Sequence, residues 1–374
     1  MSGSGDQSSL FPSDSGSGDS LQLPELWLQE PGPESDVVIS SRMRLARNLD
    51  DFHFKSRFQE GECERLEVHL SQVLHELEPD FRYHRMHELS PTERKVMFER
   101  HLISREHAAD ELPRGVSFSH DGTTSIMVNE EDHLRLQVFA SGLDLERLDE
   151  VINDLDHRIG SQVNYSFDPR FGYRTSCPTN TGTGLRVSVM LHLPTLSFRV
   201  DGRTGRGSEQ DIVRMQNAAQ QLGLTVRGIF GESSRADGEF YQISNQVTLG
   251  RTPAETVKGV QSLVEHVSSW ERRNRDSHFN ENRRRVEDHI WRAWAALTHA
   301  RRMTSGEALS HLSALRFGVC LGILDEDEID LAAIQSLMVA MRPGHLQYTA
   351  DTELTADRRD ELRADLIRGA LQNN

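Results

Sequence analysis

The sequence predicts a chain in two parts: an α+β domain with a mostly antiparallel sheet flanked by helices, followed by an all-α domain. Three observations carry this reading. Val, Ile, Phe and Tyr concentrate at 115–118, 124–130, 184–192, 224–230 and 239–244 between Gly-bearing turns, as short strands do. Helical spacing is interleaved with these stretches without the regular alternation that builds a parallel sheet. From Thr252 onward only helical spacing remains.

The elements follow in order. Residues 1–22, rich in Gly, Ser and Asp and without Lys or Arg, read as a disordered tail that lacks the charge and apolar core of a secretory signal. Leu21 to Pro33 is Pro-rich with one aromatic, Trp27. The β-branched run Val37-Val38-Ile39 opens a strand. Cys63, Leu66, Leu70, Val73, Leu74 and Leu77 recur at helical spacing, and Ser90-Pro91-Thr92-Glu93 is a capping box with Pro at the first helical position. Further helices are expected at 143–160 and 208–222. The last third reads as helices at 253–275, 281–302, 305–319, 328–341 and 355–371, broken by short turns and by Pro343-Gly344. The domains are therefore drawn as 1–22, 23–252 and 253–374.

Composition bounds the function. The 374 residues carry a net charge of −16, and no apolar run is long enough for a membrane span. That charge disfavours direct nucleic-acid binding. Cys63, Cys177 and Cys320 are odd in number and widely spaced, which points to a reducing, cytoplasmic setting and away from a zinc or redox pair. Only Lys55, Lys95 and Lys258 of the 42 basic residues are lysines. A GC-rich genome explains most of that bias, yet guanidiniums also suit phosphate and carboxylate.

Four segments carry chemistry. In Ser40-Ser41-Arg42-Met43-Arg44, strand alternation puts two guanidiniums on one face, where they repel unless an anion lies between them. Asn129-Glu130-Glu131-Asp132-His133-Leu134-Arg135 sets three carboxylates at a strand end, which is costly unless they meet cations; a solvated turn is the alternative. Cys177-Pro178-Thr179-Asn180-Thr181-Gly182-Thr183-Gly184-Leu185-Arg186 is a Gly/Thr loop of the kind that offers N–H groups to anions, and it lacks the signature of a P-loop or a dinucleotide fingerprint. Arg227-Gly228-Ile229-Phe230-Gly231-Glu232 again joins an arginine to a carboxylate across glycines. Together, arginines that hold a polyphosphate and carboxylates that hold a cationic acceptor point to phosphoryl transfer.

These four motifs, in this order, resemble the ATP:guanidino phosphotransferases, the phosphagen kinases. The closer resemblance is to the bacterial protein arginine kinases of the McsB type. Its grounds are the early arginine motif, the Trp27-Leu28-Gln29 opening, and a C-terminal helical domain with Leu315-Arg316-Phe317-Gly318-Val319, Pro343-Gly344-His345-Leu346-Gln347 and Arg359-Asp360-Glu361-Leu362-Arg363-Ala364.

The resemblance implies a phosphagen-kinase-like catalytic fold. It implies ATP held by Ser40, Ser41, Arg42, Met43, Arg44, His101, Arg135, by Arg186, Val187, Ser188, Val189, Met190, and by Arg227, Gly228, Ile229, Phe230, Gly231 and Glu232. Mg²⁺ would ride on the phosphates with few protein ligands. Glu131 and Glu232 would grip the target guanidinium, with Glu232 as base and the two roles exchangeable, and Cys177 would help place the acceptor.

Arg359, Asp360, Arg363 and Ala364 would bind phosphoarginine as an allosteric ligand. Implied partners are proteins with accessible arginines, an McsA-like activator, a ClpC-type unfoldase that degrades the marked proteins, and a second copy in a homodimer. Small-guanidino kinases have arginine where Phe230 stands and glutamate where Arg235 stands, which weakens a free-metabolite reading. The alternatives are a free-arginine kinase and a phosphoarginine-binding adaptor.

Overall fold

The structure is a computed structural model that describes residues 30–109, 111–197, 206–228, 237–325, 329–350 and 352–372. The expected tail at 1–22, Trp27-Leu28-Gln29, and Ile229, Phe230, Gly231, Glu232 and Arg235 lie outside the described residues.

The elements run β1 (Val38–Arg47), α1 (Glu62–Leu77), β2 (Arg82–Arg85), α2 (Pro91–Glu99), α3 (Arg105–Ala109), β3 (Gly115–Phe118), β4 (Thr124–Val128), β5 (Leu134–Ser141) and α4 (Leu145–Gly160). After a two-residue pair, β6 (Phe167–Asp168) and β7 (Gly172–Tyr173), come β8 (Leu185–His192), α5 (Pro194–Ser197), α6 (Arg206–Gln221), β9 (Leu224–Gly228) and β10 (Phe240–Asn245). The last third is α7 (Pro253–His299), α8 (Ser305–Cys320), α9 (Leu331–Ala340), α10 (Pro343–Thr349) and α11 (Ala356–Gln372).

Eight strands form one sheet in the order β2-β3-β4-β5-β1-β8-β10-β9, and each adjacent pair is antiparallel. The mixed α+β class with a helical C-terminal part is as the sequence predicts. β1 is central and pairs with both β5 and β8.

Alternation along those three strands divides the sheet into two unlike faces. Met43, Leu45, Leu136, Val138, Val187 and Val189 share one face and are buried under α1, α4, α6 and the first half of α7. α4 meets them with Leu145, Leu148, Ile152, Leu155 and Ile159, an apolar stripe at helical spacing. Arg42, Arg44, Arg135 and Arg186 lie on the opposite face.

Three differences from the sequence reading stand out. β5 and β2 were not among the expected strands; β5 follows the acidic run, whose polarity masks the alternation of Leu134, Leu136 and Val138. The two helices expected at 253–275 and 281–302 are one 47-residue helix, α7, with non-helical dihedrals at Asn282. Pro343-Gly344, read as a break, starts α10, since Pro is well suited to a first turn. The sequence reading sets a domain boundary at 252. In the structure Val257, Val260, Leu263, Val264 and Val267 pack with the sheet, while Val286, Ile290, Ala293 and Leu297 pack in the helical core.

Arg47 ties this frame to the Gly/Thr loop. Its buried guanidinium holds Asp156 with two hydrogen bonds (3.0 and 2.7 Å), donates to the carbonyls of Ala46 and Thr183 (both 2.9 Å) and lies 3.5 Å from the centre of the Tyr173 ring. Replacing it leaves Asp156 half-buried and without its ion-pair partner. Arg47→Met is expected to cost about 3 kcal/mol in urea unfolding, the range for breaking one side of a buried ion pair.

Candidate active site

The site is built on the open face of β5, β1, β8, β10 and β9. Arg42 stands opposite Phe139 on one side and Ser188 on the other, and Arg44 stands opposite Gln137 and Arg186. Arg227, on the edge strand, stands opposite Gln242. Register thus gathers on one face arginines that are up to 185 positions apart in the chain.

Each guanidinium is held differently. Arg42 Nε donates to Ser188 Oγ (3.2 Å), its Nη2 to Gln242 Oε1 (3.4 Å), and its guanidinium carbon lies 5.8 Å from the Phe139 ring centre. Arg186 donates to Asn180 Oδ1 (2.9 Å), the carbonyl of Asn245 (2.7 Å) and Thr179 Oγ1 (2.9 Å). Arg135 pairs with Glu130 at 2.8 Å. Arg44 Nε is shut off from solvent and meets no hydrogen-bond partner among the described residues.

Burial, the neighbouring Arg42, Arg135 and Arg186 together push the Arg44 pKa well below its usual value, against a smaller opposing pull from Glu130. Burial and Arg135 bring Arg42 down to about 10. Such a surface lacks negative charge, and a bound polyanion would supply it.

The acidic run resolves into three roles. Glu130 is buried; burial alone would raise its pKa, but Arg135, Ser104 and the backbone N–H of Glu131 draw it down to about 2. It neutralises Arg135 and is unavailable to an acceptor. Asp132 is also buried, and its Oδ1 accepts from Asn48 Nδ2 and from the backbone N–H of Ser176, both at 2.6 Å. It therefore fixes the start of the Cys177 loop beside the strand end.

Glu131 alone is exposed. Burial of part of its surface, Asp132 and Glu130 raise its pKa, while Arg135 and Arg186 pull it down. A carboxylate of raised pKa that is otherwise uncommitted suits the gripping of a guanidinium or the acceptance of its proton.

The loop from Cys177 to Gly184 is closed by Thr248 Oγ1, which donates to the carbonyls of Thr179 (3.1 Å) and Thr181 (2.6 Å). Gly182 has φ 114° and Gly184 φ 68°, and a Cβ on either would come within 2.8 Å of a backbone carbonyl, so these two positions require glycine. Cys177 is half-buried, with Sγ 3.1 Å from Thr179 Oγ1, and burial lowers the pKa of the neighbouring Arg186 against a smaller opposing pull from Cys177.

His101 sits in the left-handed region at φ 62°, an uncommon conformation for a side-chain-bearing residue, and its carbonyl accepts from Gln137 Nε2 at 2.9 Å. Burial, Arg42 and Arg342 lower its pKa to about 3, so its ring is neutral at pH 7.

The structure brings Arg42, Arg44, Arg135, Arg186, Glu131 and Cys177 together at one end of the arginine face. The side chains of Ser41, Met43, Val187 and Val189 face away from the arginines, with Ser41 bonded to the carbonyl of Gly142 and the other three in the core. Ser40, Ser188 and Met190 share the arginine face, and Gly228 pairs with Tyr241.

In the helical domain, Arg359 and Arg363 do not present one exposed face. Arg363 is 1% exposed, its Nε donating to the carbonyl of Met341 (2.9 Å) and its Nη1 to the carbonyl of Met303 (2.8 Å) and to Asp360 (2.6 Å). Arg359 donates to the carbonyl of Leu354 (2.8 Å), and Ala364 is in the helical core. Sequence reasoning missed Glu130, Asp132, Asn48, Gln242, Asn245 and Phe139 as supports of the arginines. Only the acidic run gave a local signal; the others act across strands.

Comparison with known proteins gives the family. The ATP:guanido phosphotransferase C-terminal catalytic domain matches residues 64–274, and the protein-arginine kinase McsB C-terminal domain matches residues 283–374. A protein-arginine kinase of Symbiobacterium thermophilum is 40% identical over 354 residues, covering 92% of this chain and 96% of the relative. One from Halalkalibacterium halodurans is 41% identical over 352 residues, covering 92% and 95%. Among solved structures, a lombricine kinase superposes with a TM-score of 0.54 at 25% identity, over 67% of this chain and 71% of that one.

The chain belongs to the ATP:guanido phosphotransferase family and is a kinase. Within that family it has the two-part make-up, catalytic domain and McsB-type C-terminal domain, of the protein-arginine kinases to which it is similar. Among the described residues no helix is long and apolar enough to cross a membrane.

Glu130 also makes a testable contribution to stability. Its folded pKa, about 2, lies below the unfolded value of 4.5, so it stabilises the fold above pH 4.5 and loses that effect as pH falls toward 2. Urea unfolding should show Glu130→Gln destabilised by about 3 kcal/mol at pH 7, with the gap to the unmodified protein closing through that acid window.

Proposed function

We propose that this chain transfers the γ-phosphoryl group of Mg-ATP to arginine side chains of other proteins. The observation that carries the reading is the arginine face, with its unpartnered Arg44 Nε, ending at the exposed carboxylate of Glu131 beside Cys177. The matched family domains and the protein-arginine kinase activity for which the relatives are named support the same reading.

In the proposed reaction an acceptor guanidinium nitrogen attacks the γ-phosphorus. An N–P bond forms, the bond from the γ-phosphorus to the β,γ-bridging oxygen breaks, ADP leaves, and the proton lost by nitrogen passes to a carboxylate. Arg42, Arg44, Arg135, Arg186 and Arg227 offset the charge spread over the phosphoryl oxygens. Glu131 grips the acceptor, with Glu232 as the base of this proposal. Mg²⁺ bound to the nucleotide would shield its phosphates and would need few ligands from the protein.

The exposure of Glu131 favours an acceptor carried on a protein chain. Phosphoarginine recognition by Arg359, Asp360 and Arg363 is also proposed, and it would require Arg363 to exchange the carbonyls of Met341 and Met303 for a phosphoryl group. Marking of proteins for a ClpC-type protease, an McsA-like activator and a homodimer complete the proposal and rest on the resemblance alone.

The test is incubation with Mg-ATP and a disordered, arginine-containing protein, followed by phosphopeptide mass spectrometry without acid. Phosphate on protein arginine is expected, with Glu131→Gln lowering kcat/KM for the acceptor about a hundredfold while ATP affinity stays within about threefold. Labelling of free arginine alone would replace this reading with a metabolite kinase.

A further inference from the structure

The seam between the sheet and the helical domain runs past His101. α2 ends at Glu99, whose buried carboxylate accepts hydrogen bonds from the backbone N–H groups of Gly344 (2.8 Å) and His345 (3.1 Å) and lies 3.0 Å from His345 Nδ1. A catalytic-domain carboxylate thus caps the first turn of α10 in the other domain. The approach is close enough that a Cβ on Gly344 would stand 2.6 Å from Glu99 Oε2.

Further contacts flank this clip. Val339 packs on Phe139, the ring beneath Arg42. Tyr348 packs on the cluster containing Met97, Leu102 and Ile103, so it braces the turn that carries His101. Arg342 is the N-cap of α10, and the carbonyl before it, that of Met341, is held by Arg363 Nε at 2.9 Å. His101 follows Glu99 by two residues just as Arg342 precedes Gly344 by two.

We propose that the Glu99 clip makes the helical domain a working part of the nucleotide pocket: through α10 it positions Arg342 against His101, and together these form a wall that receives the nucleotide. The inference rests on the phosphoryl-transfer reading above and adds to it a residue from outside the catalytic domain. Arg342 and Arg42 reach His101 from different domains, and their charges both act on its ring. The charge of Glu99 opposes the effect of burial on Arg342, so the carboxylate that caps α10 also steadies this guanidinium, and an anionic nucleotide would add negative charge between Arg342 and Arg42. Clip formation and nucleotide binding are then linked, each strengthening the other by the same factor. Glu99 and Gly344 are positioning residues in this scheme, and the acceptor end of the site is independent of them.

The test is equilibrium binding of ADP to full-length Gly344→Ala, Glu99→Ala and Arg342→Ala, alongside the acceptor KM and thermal unfolding without nucleotide. Each variant is expected to weaken ADP binding about tenfold, with the acceptor KM within about twofold, and Glu99→Ala with Arg342→Ala to be less than additive. Arg342→Lys, which keeps the charge, should recover part of the loss. If Glu99→Ala fails to fold, Gly344→Ala and the two Arg342 variants decide the matter. Unchanged ADP affinity in folded Gly344→Ala and Arg342→Ala, or a loss confined to acceptor KM, would overturn the inference alone. An unmodified protein that binds neither ADP nor ATP would overturn the phosphoryl-transfer reading, and this inference with it.

Discussion

Repulsion among guanidiniums on one sheet face is the constraint around which the catalytic half is arranged. Arg42 and Arg44 sit two apart on the central strand, with Arg186 directly across from Arg44. Unlike cations free in water, these are backed by a sheet whose other face is a dry core, and low polarity strengthens their mutual repulsion. The fold tolerates the crowding by giving most of them an individual hold: Ser188 and Gln242 for Arg42, Asn180, Asn245 and Thr179 for Arg186, and Glu130 for Arg135. Among the described residues Arg44 Nε is left without one, a need that a bound anion would meet.

The carboxylates are distributed by the same logic. Three adjacent acids would repel one another at a strand end, but Glu130 is spent on Arg135 and Asp132 on Asn48 and the Ser176 amide. Only Glu131 stays open, at the rim where Cys177 stands. Charge is thus separated along one face, positive over the strands and negative at the edge. That division suits a polyanionic donor and a cationic acceptor meeting between them.

Much of this was legible in the sequence. Ser-Arg-Met-Arg-Leu alternation on β1 places guanidiniums opposite core residues, and the Gly/Thr loop declares a tight turn before a strand. Hidden were the partners that make the arginines tolerable, because Gln242 and Asn245 reach them across β10, some 60 to 200 positions away. Val187 and Val189 were read as nucleotide contacts because they adjoin Arg186 in a motif; the strand period of two sends their side chains to the core. α7 was read as two helices because its apolar pattern changes partners at Asn282, a change of core and not an end of helix. Arg359 and Arg363 stand one turn apart on α11, yet the carbonyls of Met303 and Met341 draw Arg363 inward.

If the crowded face awaits an anion, then relieving the crowding should stabilise the free protein. The most direct measurement is thermal unfolding of the unmodified chain and of Arg44→Met, each with and without ADP, at ionic strength matched by sodium chloride. Guanidinium crowding predicts that ADP raises the unmodified protein's melting temperature by several degrees, that Arg44→Met melts higher than the unmodified protein without ADP, and that ADP then adds little. An unmodified protein indifferent to ADP, or an Arg44→Met variant that melts lower while still responding in full, would contradict it.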